Sequence, residues 1–325
     1  MLRRVERVRV YSIPLEDNRV RELISWYTRM LQKAIDIIWD NITWKYDLKS
    51  YRRGRRAKVK VPAIPKDSEF KRELRNVLME DNPYAKHWVD ALIRTAYSIM
   101  DSWRKRYVKG KAKKCRPRVR RRFARCKITL MRVDYKRRVV RITLKPREYL
   151  EVSYANAWFS DRVKGCKVGE VVLKDDRVLI PFKREELYIV EDAIGWDCNE
   201  LELTGFSPKI GFIHVDLKPL ITTRITYQEK RSRVQKIASK RLRRGGQLLE
   251  KHSHRERSRC RDVERKIAIQ VIGLFPNAMH GFEKLNKENM IRKNGKNSKK
   301  LRKRIARVSW GNIVREVGQR AVSRK

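Results

Sequence analysis

From Arg4 to Ile13 the chain interleaves Val5, Val8, Val10, Tyr11 and Ile13 with charged residues, a pattern that predicts a β-strand ended by Pro14. Asp17 or Asn18 can then cap a long helix. Its apolar positions are Leu23, Trp26, Tyr27, Met30, Leu31, Ala34, Ile35, Ile38, Trp39 and Ile42, which recur at helical spacing over several turns. Residues 49–66 (KSYRRGRRAKVKVPAIPK) are punctuated by Gly54, Pro62 and Pro65 and read as a basic loop. Two more helices follow, one from about Ser68 to Met79 and one from near Pro83. The second carries Trp88, Leu92, Ile93, Ala96, Tyr97, Ile99, Met100 and Trp103.

The period then changes. Between Cys126 and Glu191 the segments KITLMRV, RVVRITL, YLEVSY, CKVGEVVL and RVLIPF read as strands, separated by Asp134, Pro146, Gly165 and Asp175-Asp176. The first strand belongs with these. Residues 1–14 and 109–191 are therefore expected to form a small β-barrel-like domain, with residues 15–108 as a helical insertion. From Asp192 a third region begins. AIGWD, LELTGF and IGFIHVDL read as strands, and TTRITYQEKRSRVQKIASKRLRR as a basic helix. Gly245-Gly246 interrupts it, a second helix runs to about Phe275, and NAMHGFE is a fourth strand. Strands, then helices, then a strand is an α/β order, so the whole is an α+β multidomain chain.

Composition narrows the partners. The 325 residues are 41% hydrophobic and 9% aromatic, enough to build cores and contrary to wholesale disorder. Against this stand 83 Lys and Arg with only 37 Asp and Glu, a formal charge of +46. Such an excess opposes compaction by self-repulsion, and a polyanion relieves it. Nucleic acid fits, because neutralised phosphates release counterions. The longest apolar run, Ile267 to Phe275, is broken by Gln270 and Gly273 and is too short to span a bilayer, so no membrane partner is expected. The start, MLRRVERVRV, lacks the apolar stretch of a signal peptide. Cysteines 115, 126, 166, 198 and 260 contain no Cys-x-x-Cys pair and suit unpaired thiols in a reducing compartment. His252, His254 and Cys260 lack a fourth partner for zinc.

The densest charge lies between residues 104 and 125. Arg104, Lys105, Arg106, Lys109, Lys111, Lys113, Lys114, Arg116, Arg118, Arg120, Arg121 and Arg122 are candidates for contact with a nucleic-acid backbone. A solvated linker is the plainer alternative. The interleaved Tyr107, Pro117 and Phe123 favour a groove wall, since aromatic rings stack on splayed bases. In the helix from Thr222, Arg231, Lys240, Arg241 and Arg244 belong to a set of cations too dense for one face. Trp26, Trp39, Trp88 and Trp103 sit at core positions.

Two acids stand out in this cationic chain. Asp197 ends AIGWD and Glu283 ends NAMHGF. If these strands are parallel neighbours, both carboxylates emerge at one sheet edge, where open α/β sheets collect ligands. Such a pair would suit Mg²⁺ or Mn²⁺, which take hard oxygen ligands, and two ions could clamp a phosphodiester. Otherwise Asp197 opens a turn and Glu283 forms a strand-end salt bridge.

The segment from Ile194 to Val317 resembles the TnpB family, the transposon-encoded RuvC-like nucleases related to type V CRISPR effectors. The resemblance rests on Gly195-Trp196-Asp197-Cys198-Asn199 with Leu203-Thr204 after it. Arg261-Asp262-Val263 echoes the family's Arg-Asp helix start. Phe282-Glu283-Lys284-Leu285-Asn286-Lys287 follows, then the basic helix from Leu301 to Val308 and Ser309-Trp310. It implies an RNase H-like (RuvC-type) α/β domain over residues 192–325, with Asp197 and Glu283 as catalytic, Mg²⁺- or Mn²⁺-binding acids. It also implies that the β domain and helical insertion hold a guide RNA from the mobile element while the RNA pairs with target DNA. A cytoplasmic, nucleoid-associated prokaryotic location goes with it. The family's zinc ribbon and third acid have no counterpart, since no cysteine follows Cys260 and no aspartate follows Asp262. Glu316 lies in a predicted helix and is not a replacement. A domain lacking its C-terminal part, impaired in cleavage, is therefore expected. A nuclease-inactive RNA-guided transcriptional repressor, or a basic RNA-binding protein unrelated to nucleases, remains the alternative.

Overall fold

The structure is a computed structural model that describes residues 2–50, 56–241, 245–285, 290 and 299–321. The chain divides into two compact units, Val8–Arg184 and Met1–Arg7 with Glu185–Lys325. Strand β1 is Leu2–Pro14. In the Val8–Arg184 unit its Tyr11 stacks on Phe159 with centroids 4.3 Å apart, whereas Val8 and Val10 stay half exposed.

Helix α1, Asn18–Asp40, starts where Asp17 accepts a hydrogen bond from the Arg19 amide at 2.9 Å; of the two candidate caps, Asp17 is used. Its buried face is the apolar stripe read from the sequence, Leu23, Tyr27, Leu31, Ile35 and Ile38 among it. Helix α2, Ser68–Glu80, is capped by Asp67, and helix α3 is His87–Val108. Between α1 and α2 the structure departs from the expected loop. Strands β2 (Thr43–Ser50) and β3 (Arg56–Ala63) pair antiparallel, from Thr43 opposite Ala63 to Ser50 opposite Arg56. The alternation Ala57-Lys58-Val59-Lys60-Val61 is a strand pattern that Gly54, Pro62 and Pro65 disguise, and Pro62 sits near one end of the ladder.

After a two-residue strand β4 (Ala124–Arg125), KITLMRV opens as a 3-10 turn and becomes a strand only at β5, Met131–Asp134. β5, β6 (Val139–Lys145) and β7 (Glu148–Ser153) form a three-stranded sheet. CKVGEVVL splits into β8 (Lys167–Val168) and β9 (Val172–Lys174), and β10 is Arg177–Ile189. The five-stranded sheet runs β1-β10-β9-β4, with β8 also on β10, so the first strand does join the late ones. Helices and strands share one core. Trp88 is buried in it and donates its indole N–H to the Thr143 carbonyl of β6 at 2.9 Å. Tyr27 meets Thr95 between α1 and α3 at 3.0 Å.

The other unit holds β11 (Asp192–Cys198), β12 (Glu202–Ser207) and β13 (Gly211–Asp216). Then come α4 (Lys218–Arg241), α5 (Gly245–Leu274) and β14 (Ala278–Phe282). Among the described residues, α6 (Lys299–Arg307) and α7 (Trp310–Ala321) follow. The sheet order is β13-β12-β11-β14, with β11, β12 and β13 antiparallel and β14 parallel to β11. Ile194, Trp196, Cys198, Leu203 and Val215 turn to one face and pack with Ile221, Val271, Ile313 and Val317 of the helices. Alternation sends Ala193, Gly195 and Asp197 to the other, exposed face.

A buried acid locks these helices together. The Glu264 carboxylate accepts from Ser309 Oγ at 2.6 Å, Asn312 Nδ2 at 3.1 Å and the Arg224 guanidinium at 3.4 Å. Arg224 also donates to the Arg307 carbonyl at 2.5 Å. Ser309-Trp310 thus begins α7 and anchors it, and the Trp310 indole N–H reaches the Asn199 carbonyl at 2.7 Å.

Candidate acidic site and basic surfaces

The parallel pairing runs from Asp192 opposite Ala278 to Trp196 opposite Phe282, and the Glu283 amide continues it by donating to the Trp196 carbonyl at 3.3 Å. Asp197 and Glu283 are the next residues on each strand. They stand side by side at the C-terminal ends of adjacent parallel strands, both exposed. Each is oriented by its neighbour. The Cys198 amide donates to Glu283 Oε1 at 3.1 Å, and Asn199 Nδ2 to Asp197 Oδ2 at 3.0 Å.

The two strands carry the same three-residue pattern in register: Gly195-Trp196-Asp197 and Gly281-Phe282-Glu283. The aromatic members turn inward and stack, with centroids 6.0 Å apart and planes 13° off parallel. Trp196 donates its indole N–H to His280 Nδ1 at 3.0 Å. Burial holds the His280 ring below its usual pKa of 6.5, which suits a neutral acceptor. The glycine and acid members face outward.

Donor chemistry decides what the site could hold. The exposed donors are carboxylate oxygens, the hard ligands of Mg²⁺ or Mn²⁺. Cys198 points the other way, and burial, with the nearby Glu283 and Asp197 charges, pushes its thiol up to about 11, so it is not a thiolate ligand at neutral pH. Among the described residues no group of three or more His, Cys, Asp and Glu side chains is placed to hold a metal. Mg²⁺ bound through two carboxylates would keep several waters, so the donor type fits an open ion site. Asp216 caps α4 through the Lys218 amide at 2.8 Å. Glu316 is engaged by Arg320 and lies 4.0 Å from Arg265. Arg261-Asp262-Val263 lies within α5, not at its start, and Asp262 pairs with Lys266 at 3.0 Å. Asn286 and Lys287 lie outside the described residues.

The basic run sorts into anchored and outward members. Arg104 donates to the Pro62 carbonyl at 2.7 Å. Arg116 pairs with Asp40 at 2.5 Å and Asp36 at 3.4 Å, and Arg122 with Asp175 at 3.2 Å. The Lys114 ammonium sits 4.4 Å from the Trp44 ring centroid. Gln32 on α1 pins the segment by accepting from the Val119 amide at 2.9 Å and donating to the Pro117 carbonyl at 3.2 Å. Lys105, Arg106, Lys109, Lys111, Lys113, Arg118, Arg120 and Arg121 are exposed. The interleaved Tyr107 and Phe123 are partly buried against the core, not open base platforms. Tyr107 stacks on Trp103 at 5.4 Å, and Phe123 packs by Tyr27 at 6.3 Å. They are the inward half of the alternation that sends the cations out. Arg231 is paired with Glu256. Of Lys240 and Arg241 only the helical backbone is described, and Arg244 lies outside the described residues. Among the described residues no helix is long and apolar enough to cross a membrane.

Comparison with known proteins places the chain. Residues 23–143 match the model of the uncharacterized protein MJ0013 family. The uncharacterized protein MJ0013 of Methanocaldococcus jannaschii is 43% identical over 40% of this chain and 85% of its own length. TnpB-like protein MJ0751 of the same organism is 27% identical over 54% of this chain and 67% of its own length. TnpB-like protein MJ1635, also from that organism, is 36% identical over 90% of this chain and 67% of its own length. With that identity along nearly its whole length, the chain belongs to the TnpB-like family.

Proposed function

We propose that the chain is an RNA-guided DNA-binding protein of a mobile element, built on a RuvC-type nuclease domain. The observation that carries this is the register that brings Asp197 and Glu283 side by side at the ends of parallel strands. The order β13-β12-β11-β14, three antiparallel strands and one parallel, supports reading residues 192–325 as an RNase H-like domain. In this reading residues 1–14 and 109–191 form the β-barrel-like domain and residues 15–108 its helical insertion. Together they hold the guide RNA through the exposed cations of residues 105–121. Base pairing would then select the target DNA.

Asp197 and Glu283 would hold Mg²⁺ or Mn²⁺, with Asn199 and the Cys198 amide fixing their rotamers. When bound, such ions stabilise the attacking and leaving oxygens of a phosphodiester. Among the described residues no third acid joins the two carboxylates, an arrangement that supports binding better than cutting. The same observation favours a second reading, an RNA-guided repressor that occupies DNA without cleaving it.

The test is to purify the 325-residue chain with its RNA, sequence that RNA, and add guide-matched DNA with Mg²⁺. One discrete RNA species and guide-dependent binding with little cleavage are expected. Random cellular RNA would overturn the guide reading. Robust cleavage lost in Asp197→Ala would overturn the impairment.

A further inference from the structure

The outer face of the β13-β12-β11-β14 sheet is laid out in rows, among them the row of the acids and the one between it and the exposed pair Ala193 and Met279. Residues opposite one another in register share a face. One row reads His214, Thr204, Asp197, with Glu283 at its end. The next, one pleat repeat or about 7 Å away, reads Phe212, Phe206, Gly195, Gly281. Phe206 is 48% and Phe212 73% exposed, with ring centroids 5.2 Å apart at 55°. Beyond them the adjacent strands β11 and β14 present bare backbone. A Cβ at Gly195 would meet nothing within 4 Å, and one at Gly281 only the Ile194 carbonyl oxygen at 3.8 Å. Neither glycine is therefore required by packing. Glycine in a strand interior weakens it, and often marks a place where a ligand approaches the backbone closely.

We propose that this row is a shelf for unstacked bases of a single nucleic-acid strand, aligned beside the acids. Flat rings can stack on Phe206 and Phe212 and lie against the glycine backbone, while the strand's phosphates run along the neighbouring acid row. Those phosphates need a cation between themselves and Asp197 and Glu283, which agrees with the donor chemistry there. A dry protein partner fits poorly. It would cover the Phe pair only by also covering Glu202, Asp197 and Glu283, whose charges would lose their water. Bases keep polar edges that stay hydrated, and a chain of +46 draws polyanions rather than apolar surfaces. The shelf deepens the proposed function and rests on it for the strand's arrival at the acids.

The experiment uses the full chain with Mg²⁺ and two probes, a twelve-nucleotide single-stranded DNA and an abasic strand of equal length and charge, at the highest salt at which both still bind measurably, so that backbone binding is weakened without being lost. Phe206→Leu/Phe212→Leu keeps apolar bulk and removes the rings. Gly195→Val keeps the rings and obstructs the floor where there is open space. Both variants are expected to lose about tenfold or more in affinity for the base-bearing strand and none for the abasic one. A photo-crosslinkable thymine analogue in the first probe is expected to mark Phe206 or Phe212. Equal losses on both probes, no loss on either, or adducts confined elsewhere would overturn the shelf while leaving nucleic-acid binding intact. Failure of the unaltered chain to bind either probe at low salt would instead defeat the nucleic-acid reading itself. Conversion of a dimer to a monomer by the Phe substitutions would show that a second copy occupies the face, and would also overturn the proposal.

Discussion

The indole of Trp196 lies across the backbone of Gly205, its register partner on β12, so closely that a Cβ at residue 205 would come within 2.8 Å of Cζ3. Trp196 is held there from the other side by Phe282 and His280. The ring cannot retreat, so Gly205→Ala is expected to lower unfolding free energy by about 1–3 kcal/mol. Trp196→Leu makes room for the methyl, and in a double-mutant cycle the pair should cost less than the sum of the two single changes. Denaturant unfolding of the four proteins measures this; additive costs would show that the ring had moved aside.

Glu264 is expected to be the costliest polar residue to lose. Its carboxylate is buried and answers Arg224, Ser309 and Asn312 at once. Glu264→Ala leaves a guanidinium with little exposure and no acid partner, a change worth about 3–5 kcal/mol. A melting temperature within a degree or two of the parent would refute this.

Acid should loosen the β11–β14 pair through His280. Its pKa lies below 6.5 in the fold because burial disfavours the charged ring. The unfolded chain therefore binds this proton first, and stability rises with pH in that window. The contribution is complete above about pH 6.5 and is lost as pH falls through the lowered folded value. Protonation at Nδ1 would also remove the acceptor for Trp196. His280→Gln should therefore lose less stability than the parent between pH 7.5 and 5.5, as followed by thermal melting at each pH.

Cations within the basic run should differ in their contribution to the salt dependence of binding. Replacing the exposed Arg118, Arg120 and Arg121 by Gln should reduce the slope of log K against log salt by about 0.7–0.9 for each phosphate left without its cation. Arg116→Gln should change it less, because that guanidinium already answers Asp36 and Asp40. Fluorescence anisotropy across a salt series distinguishes the two; equal slopes would mean that Arg116 releases its acids to take a phosphate.

What is legible in the sequence is what repeats over several residues. The stripe of α1 belongs to that class, the caps are legible beside it as the polar residues that precede such a stripe, and Asp197 with Glu283 can be paired because both close short apolar strands. The β2–β3 hairpin is hidden because turn residues and arginine dominate residues 49–66, masking the alternation of Ala57, Val59 and Val61. Phe123 and Tyr107 read as outward because a neighbouring charge says nothing about which way a ring turns. Glu264 does not stand out: it lies between Val263 and Arg265 in a helix full of charge, and its partners arrive from α4, Ser309 and α7. The glycine–phenylalanine row depends wholly on register, which no single strand reveals.

The thiols follow the same inward and outward logic. Cys126, Cys198 and Cys260 are buried and Cys166 is partly covered, whereas Cys115 stands exposed among the cations. A maleimide dye at limiting dose would therefore tag residue 115 first, giving a spectroscopic reporter inside the basic segment without engineering a new attachment point.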